Sequence, residues 1–172
     1  DVCVSGRAQC VLTGHTTLIK KLIIDFCGSA FICKSAMAVS TSSFMQEIAD
    51  YSLLLPALVL WVYKRDNDKD FLRLTFPYIT GVYEYFMQYS QEDGLIEGVK
   101  EKWNLVDWPD NLRDGYNFPL TKPISPGKHN VLNAFWIGFL KAYQDICEIL
   151  GEAVNIAIDN VEKSFINAFY NK

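Results

Sequence analysis

The chain has 172 residues, half of them hydrophobic and 14% aromatic with only 21% charged, so it can build a packed core and has no stretch polar enough to read as disordered. A formal net charge of −4 and a pI near 5.1 exclude a nucleic-acid-binding surface, which needs clustered Lys and Arg. The longest apolar run, Leu53 to Tyr63, is far shorter than the roughly 20 residues that cross a bilayer, so a soluble chain with no membrane partner is expected.

Five cysteines, Cys3, Cys10, Cys27, Cys33 and Cys147, are odd in number and irregular in spacing. They do not make the dense disulfide framework of a small secreted domain. They read instead as small buried hydrophobes, which favours a reducing, cytoplasmic setting over a secreted or periplasmic one. No signal-peptide pattern is present in the first residues, and Asp1 in place of Met suggests that an upstream part is missing.

Helical periodicity runs along most of the chain. Leu18, Leu22, Phe26, Ala30, Cys33 and Met37 recur every three or four residues and predict one apolar stripe on a long helix. The Ser40–Ser43 cluster offers caps for a second helix over roughly Phe44 to Lys64, with a kink at Pro56 where a backbone donor is lost. Asp66-Asn67-Asp68 predicts a turn. A third helix follows, with Phe71, Leu74, Tyr78, Val82, Tyr85 and Tyr89 on one face, ending near Asp93-Gly94.

Gly94 to Lys128 has no sustained period and holds four of the six prolines and two tryptophans, so it reads as a long loop. Loops of that length in compact domains are usually functional. Helical spacing resumes with Leu132, Phe135/Trp136, Phe139, Tyr143, Ile146/Cys147 and Leu150. Gly151 breaks it, and a last helix carries Val154, Ile158, Val161, Phe165 and Phe169. His129 before Asn130 predicts an N-cap made by the Asn side chain.

The expected class is therefore all-α, with antiparallel αα-hairpins. Several helices are apolar on more than one face and need neighbours on both sides, the environment of an inner helix in an (α/α)6 barrel. Twelve helices with average loops need on the order of 200 residues, and more at these lengths. Residues 1–172 are thus expected to form a single domain that is a fragment, about half, of such a ring.

Residues Trp103 to Phe118 read WNLVDWPDNLRDGYNF, and His129 to Phe135 read HNVLNAF. Together with Phe44 to Leu54 (FMQEIADYSLL), they resemble the catalytic domain of bacterial α-L-rhamnosidases, the six-hairpin glycosidases of glycoside hydrolase family 78. The similarity runs from about Cys3 to Leu150, and VDWPxNLRDGY is its most specific element. The resemblance implies hydrolysis of terminal α-L-rhamnosyl linkages with inversion, a carbohydrate ligand, and neither metal nor organic cofactor. Trp108 is the candidate for stacking on the apolar face of a deoxyhexose. Asp107, Asp110, Arg113 and Asp114 are candidates for its hydroxyls through charge-assisted hydrogen bonds. Asp50 and Tyr51 are weaker candidates, since an Asp-Tyr pair on a helix more often tethers than binds.

The family's acid loop resembles Asp-Cys-Pro-x-Arg-(x)-Glu-Arg, followed by Trp-Thr-Gly-Asp. Here Cys3, Arg7, Thr13 and Gly14 match. Ala8 stands where the proton-donating Glu is expected, and His15 where a substrate-holding Asp is expected. Val4 replaces the Pro and Leu12 the Trp, while Asp1 or Val2 falls at the leading Asp. The resemblance puts the general base on a later hairpin, beyond residue 172. Inverting glycosidases use two carboxyl groups roughly 6.5–9.5 Å apart, and neither has a matching residue here, so no catalytic residue is assigned. The stretch is expected to be inactive alone, with Arg7 and His15 kept as binding candidates.

Other chemistries find less support. Cys3, Cys10 and His15 with His129 match no common zinc spacing. Cys3 or Cys10 with His15 lacks an evident activating partner for a nucleophile–base pair. A non-catalytic carbohydrate-binding or scaffold protein with a degenerate glycosidase fold is the main rival reading, and a plain helical interaction module is the third. Apolar flanks on the terminal helices predict contact with the remainder of a barrel, or self-association.

Overall fold

The computed structural model describes residues 2–31, 48–99 and 127–170. A π-helical turn, Val2–Gly6, leads into α1 (Arg7–Thr13), then α2 (Thr17–Gly28) closed by a 3-10 turn at Ser29–Phe31. After the gap come α3 (Ala49–Leu53), α4 (Leu55–Asp66) and α5 (Lys69–Met87), then α6 (Asn130–Leu150) and α7 (Ile158–Phe169). Among the described residues there is no strand; isolated bridges join Ser90 with Ile96 and Glu97 with Lys128. The all-α, hairpin-based class read from the sequence is the one observed.

Short connections make the hairpins. Tyr63 O caps α4 by accepting from the Asn67 N–H at 2.7 Å, with Asn67 in the left-handed region at φ 55°. One residue on, the Asp68 carboxylate accepts from the Phe71 N–H at 2.9 Å and starts α5. That N-cap supplies a partner for one of the orphan amides of the first turn. The turn is held from outside: Lys20 of α2 reaches Asp66 at 2.5 Å and Asp68 at 2.7 Å, and the Thr16 hydroxyl donates to Asp66 at 2.9 Å. The turn predicted at Asp66–Asp68 is thus also the place where α2 is tied to the α4–α5 hairpin.

Helix α6 is the hub. It packs on α3, α4, α5 and α7 and buries ten residues from Leu132 to Cys147. Its inner side is aromatic: Trp136 lies 5.4 Å from Phe139 and 6.1 Å from both Tyr83 and Phe86, and Tyr143 stacks on Tyr83 at 4.7 Å. Offset stacks at such distances add attraction beyond the area they bury. A cap by His129 starts the helix, its Nδ1 accepting from the Leu132 N–H at 3.3 Å. The predicted Asn130 cap is corrected by this contact; the Asn130 carboxamide oxygen instead meets the adjacent Val131 N–H at 2.8 Å.

Several sequence expectations change in detail. In α2 the buried stripe is Ile19, Ile23 and Cys27, one position along from the predicted Leu18–Leu22–Phe26 stripe, and Leu18 is 48% exposed. Both stripes satisfy the same four-residue period, so only the neighbours could choose between them. The helix predicted over Phe44–Lys64 is broken at Leu54, with Pro56 in the first turn of α4. Proline cannot donate there, and it is tolerated in a first turn because those amides lack helical partners anyway. In α5, Leu74 and Tyr78 are exposed while Leu72, Thr75, Ile79 and Phe86 are buried. That helix ends at Met87 rather than near Gly94, and it runs through Pro77 on its exposed side, where water can take the freed carbonyl. The last helix begins at Ile158, leaving Val154 in the connection. Cys33, Met37 and the Ser40–Ser43 cluster lie outside the described residues.

Cys10, Cys27 and Cys147 are free and buried, as expected of small hydrophobes, and Cys3 is free and half-buried. Burial pushes the Cys27 thiol up to about 12. Among the described residues no helix is long and apolar enough to cross a membrane.

Candidate functional site

Asp107, Trp108, Asp110, Arg113 and Asp114, the residues of the rhamnosidase-like loop, lie outside the described residues, as does Trp103. The described residues that flank them in sequence, 94–99 and 127–129, meet. After α5 the chain turns tightly: Gln91 N–H donates to Leu95 O at 2.9 Å and Glu97 N–H to Tyr89 O at 3.0 Å. This buries Leu95, Ile96 and Val99, so the first residues of the predicted loop are core. Gly94 sits at φ 80°, and a Cβ there would fall 2.6 Å from Val161 Cγ2. Only glycine allows both that backbone and that approach to α7. From the other side, the Trp136 indole N–H donates to Gly94 O at 3.1 Å.

Lys128 and His129 lie against the same turn. Glu97 bridges Lys128, and Lys128 pairs with Asp93 at 2.5 Å. Burial works to raise the Asp93 carboxyl, but hydrogen bonds from Lys128 and the Leu95 N–H outweigh it and hold it below the usual carboxylate range. Asn133, fully buried in the first turn of α6, accepts from the Ile96 N–H at 2.8 Å and donates to Ile96 O at 2.9 Å and His129 O at 3.0 Å. Within HNVLNAF, the sequence pattern assigns Asn133 no role. The available signal was a carboxamide one turn after His129, on the same helical face as Trp136 and Ile137.

A second group forms where the N-terminal segment meets α3 and α4. Arg7 places its guanidinium 5.5 Å from the centre of the Trp61 ring, and Arg65 lies 5.4 Å from the same ring. Burial raises the Cys3 thiol, with Arg7 opposing, and burial followed by the charges of Asp50 and Cys3 raises the Tyr51 hydroxyl. Cys3, Arg7, Asp50 and Tyr51 therefore share one electrostatic neighbourhood. Asp50 is 7% exposed, an unusual degree of burial for a carboxylate. The Trp61–Arg65 contribution was not anticipated, because an Arg four residues after a Trp on a helix surface is unremarkable in a sequence. Beside this group an apolar cleft of about 230 Å³ opens between Leu53, Leu54 and Ala57 and the Ala134–Gly138 face of α6.

The stretch aligned with the family's acid loop is helical here, as the π-turn and α1. Ala8 is exposed on α1. His15 is exposed just beyond its left-handed Gly14 cap, with its backbone N–H on the Thr13 hydroxyl at 3.3 Å. Among the described residues no group of three or more His, Cys, Asp or Glu side chains could hold a metal ion.

Compared with known proteins, the chain matches no family model and no curated protein. It does match a solved structure, the GH78-family rhamnosidase of Bacillus sp. GL1, with a TM-score of 0.64 and 15% sequence identity over 91% of this chain. The helices are arranged as in an α/α-barrel glycosidase. The likeness is one of fold. The chain spans 16% of the length of that rhamnosidase.

Proposed function

We propose that residues 1–172 are a portion of an α-L-rhamnosidase-like glycoside hydrolase barrel, about half of its ring, that binds sugar through the 103–118 loop. The observation that carries this reading is the coincidence of two independent likenesses. The backbone follows a GH78 rhamnosidase, and the WNLVDWPDNLRDGYNF run resembles the same family in sequence. In this reading Trp108 stacks on the apolar face of the sugar, and Asp107, Arg113 and Asp114 take its hydroxyls. Arg7, Asp50 and His15 are secondary binding residues. The hydrolytic pair is not in this stretch, since an alanine methyl at position 8 cannot protonate a leaving oxygen.

The binding claim is tested by titrating L-rhamnose against tryptophan fluorescence. Quenching that Trp108→Ala abolishes supports it; quenching that survives the substitution, or none in the unaltered protein, overturns it. The Ala8 position favours one rival, a carbohydrate-binding protein with a degenerate glycosidase fold. In the full-length polypeptide, rhamnosidase activity that appears only with Ala8→Glu and His15→Asp would establish that rival. Activity without these changes would place the acid elsewhere.

A further inference from the structure

Helix α4 carries Trp61 and Arg65 one turn apart, and α1 brings Arg7 against the same indole. The guanidinium carbons of Arg7 and Arg65 lie 5.5 and 5.4 Å from the centre of the Trp61 ring. Attraction to the ring face holds a planar cation by its own face and leaves the N–H groups at its edge able to donate. Two cations beside one ring also repel each other, and an anion placed between them relieves that repulsion.

An acceptor is what the arrangement lacks. Among the described residues no carboxylate pairs with either guanidinium, and neither guanidinium donates a hydrogen bond. The chain is not short of acids, with 20 acidic residues against 16 basic ones. Lys20, Lys21, Lys64, Lys128 and Lys141 each meet a carboxylate. Of the arginines described, Arg73 pairs with Asp70 at 3.2 Å, and the two left open are the two that share Trp61. Asp66, next to Arg65 in sequence, is taken by Lys20 and Thr16. Asp50 is 7% exposed and pairs with neither arginine.

Arg7 is also anchored. Its Nε is sealed from solvent, whereas its terminal nitrogens are not. Those two nitrogens form a fork of parallel donors that matches two oxygens on one carbon or phosphorus. Arg65, exposed in the last turn of α4, places a second charge beside that fork.

We propose that Arg7 and Arg65, held on Trp61, bind a small oxyanion: a carboxylate or phosphate group that presents two oxygens to the Arg7 fork. The site does not depend on the sugar-binding reading, because α1 and α4 supply all of it and its ligand is charged where rhamnose is neutral.

The experiment titrates the isotopically labelled whole chain with sodium acetate and, separately, with inorganic phosphate. Sodium chloride keeps the ionic strength constant, and the arginine Nε–H resonances are followed by NMR. The Arg7 and Arg65 resonances are expected to shift together and saturate with at least one of the two anions, while Arg73 stays still. Saturation by acetate alone assigns a planar carboxylate ligand, by phosphate alone a phosphate group, and by both the shared pair of oxygens. Arg65→Gln is expected to weaken the saturating anion about tenfold, the order of one hydrogen bond to a charged group. Arg7→Gln should abolish binding, and Arg73→Gln should leave it unchanged. If the half-buried Arg7 variant does not fold, the exposed Arg65 position carries the test by itself. Absent or unsaturable shifts, shifts that Arg73 shares, or an affinity unchanged in Arg65→Gln overturn the inference.

Discussion

Helices α6 and α7 are both amphipathic by pattern, yet α6 buries ten side chains and α7 only Val161. The difference lies in their neighbours. Four helices surround α6, whereas α7 rests on α6 and on the Gly94 turn, and leaves Ile166 50% and Tyr170 73% exposed. An apolar stripe states that a helix has something to bury; it does not state how many partners will come. The same contrast holds at the other end, where Val4, Val11 and Leu12 are 76%, 61% and 86% exposed.

The largest effect that would break this contrast comes from Trp136, which is 1% exposed, stacks on Phe139 and donates to Gly94 O. Trp136→Ala should cost about 3–5 kcal/mol, the range for truncating a buried aromatic; urea denaturation would read it as a lower midpoint at similar slope. A loss below 1 kcal/mol would mean that α6 is not the hub. Within α7, Val161→Ala removes two methyl groups and should cost about 1.5 kcal/mol at roughly 0.8 kcal/mol each. Ile166→Ala should fall within about 0.5 kcal/mol of the parent, as for exposed sites. Equal costs at the two positions would show that α7's outer face is covered in solution.

The smallest effect concerns pH. Burial works to raise the Asp66 carboxyl, but hydrogen bonds from Lys20 and Thr16 outweigh it and hold it below its usual range. A carboxylate lowered on folding contributes stability that is complete above its unfolded value, about pH 4, and lost as pH falls through the folded value. Burial likewise opposes, and the hydrogen bonds that Lys20 donates to Asp66 and Asp68 outweigh it, so Lys20 is raised and its share is lost only in alkali, above its ordinary value. Lys20→Met should therefore flatten the stability profile below about pH 4, by at most about 1 kcal/mol for so exposed a pair. A profile identical to the parent's would leave the turn without this electrostatic tie.

Much of the fold was legible because helical period and turn chemistry are local. Asp68 caps and Asn67 adopts the left-handed region through their own side chains, and Gly151 ends α6 because it lacks a Cβ. The site was less legible. The rhamnosidase-like run is readable as a string, but the contact between Ile96 and Asn133 is made across 37 positions. Likewise Trp61 acquires Arg7 only when the N-terminal segment folds against α4.

By itself the sequence determined that the chain is helical, that a turn falls at Asp66–Asp68 and that Gly151 ends α6, because those properties depend on residues a few positions apart. The tertiary structure alone decided which of two equally spaced stripes in α2 faces inward, which end helices keep apolar faces exposed, and which polar residue ties Ile96 to α6. Those outcomes depend on the burial that distant elements supply, and periodicity carries no record of distant neighbours.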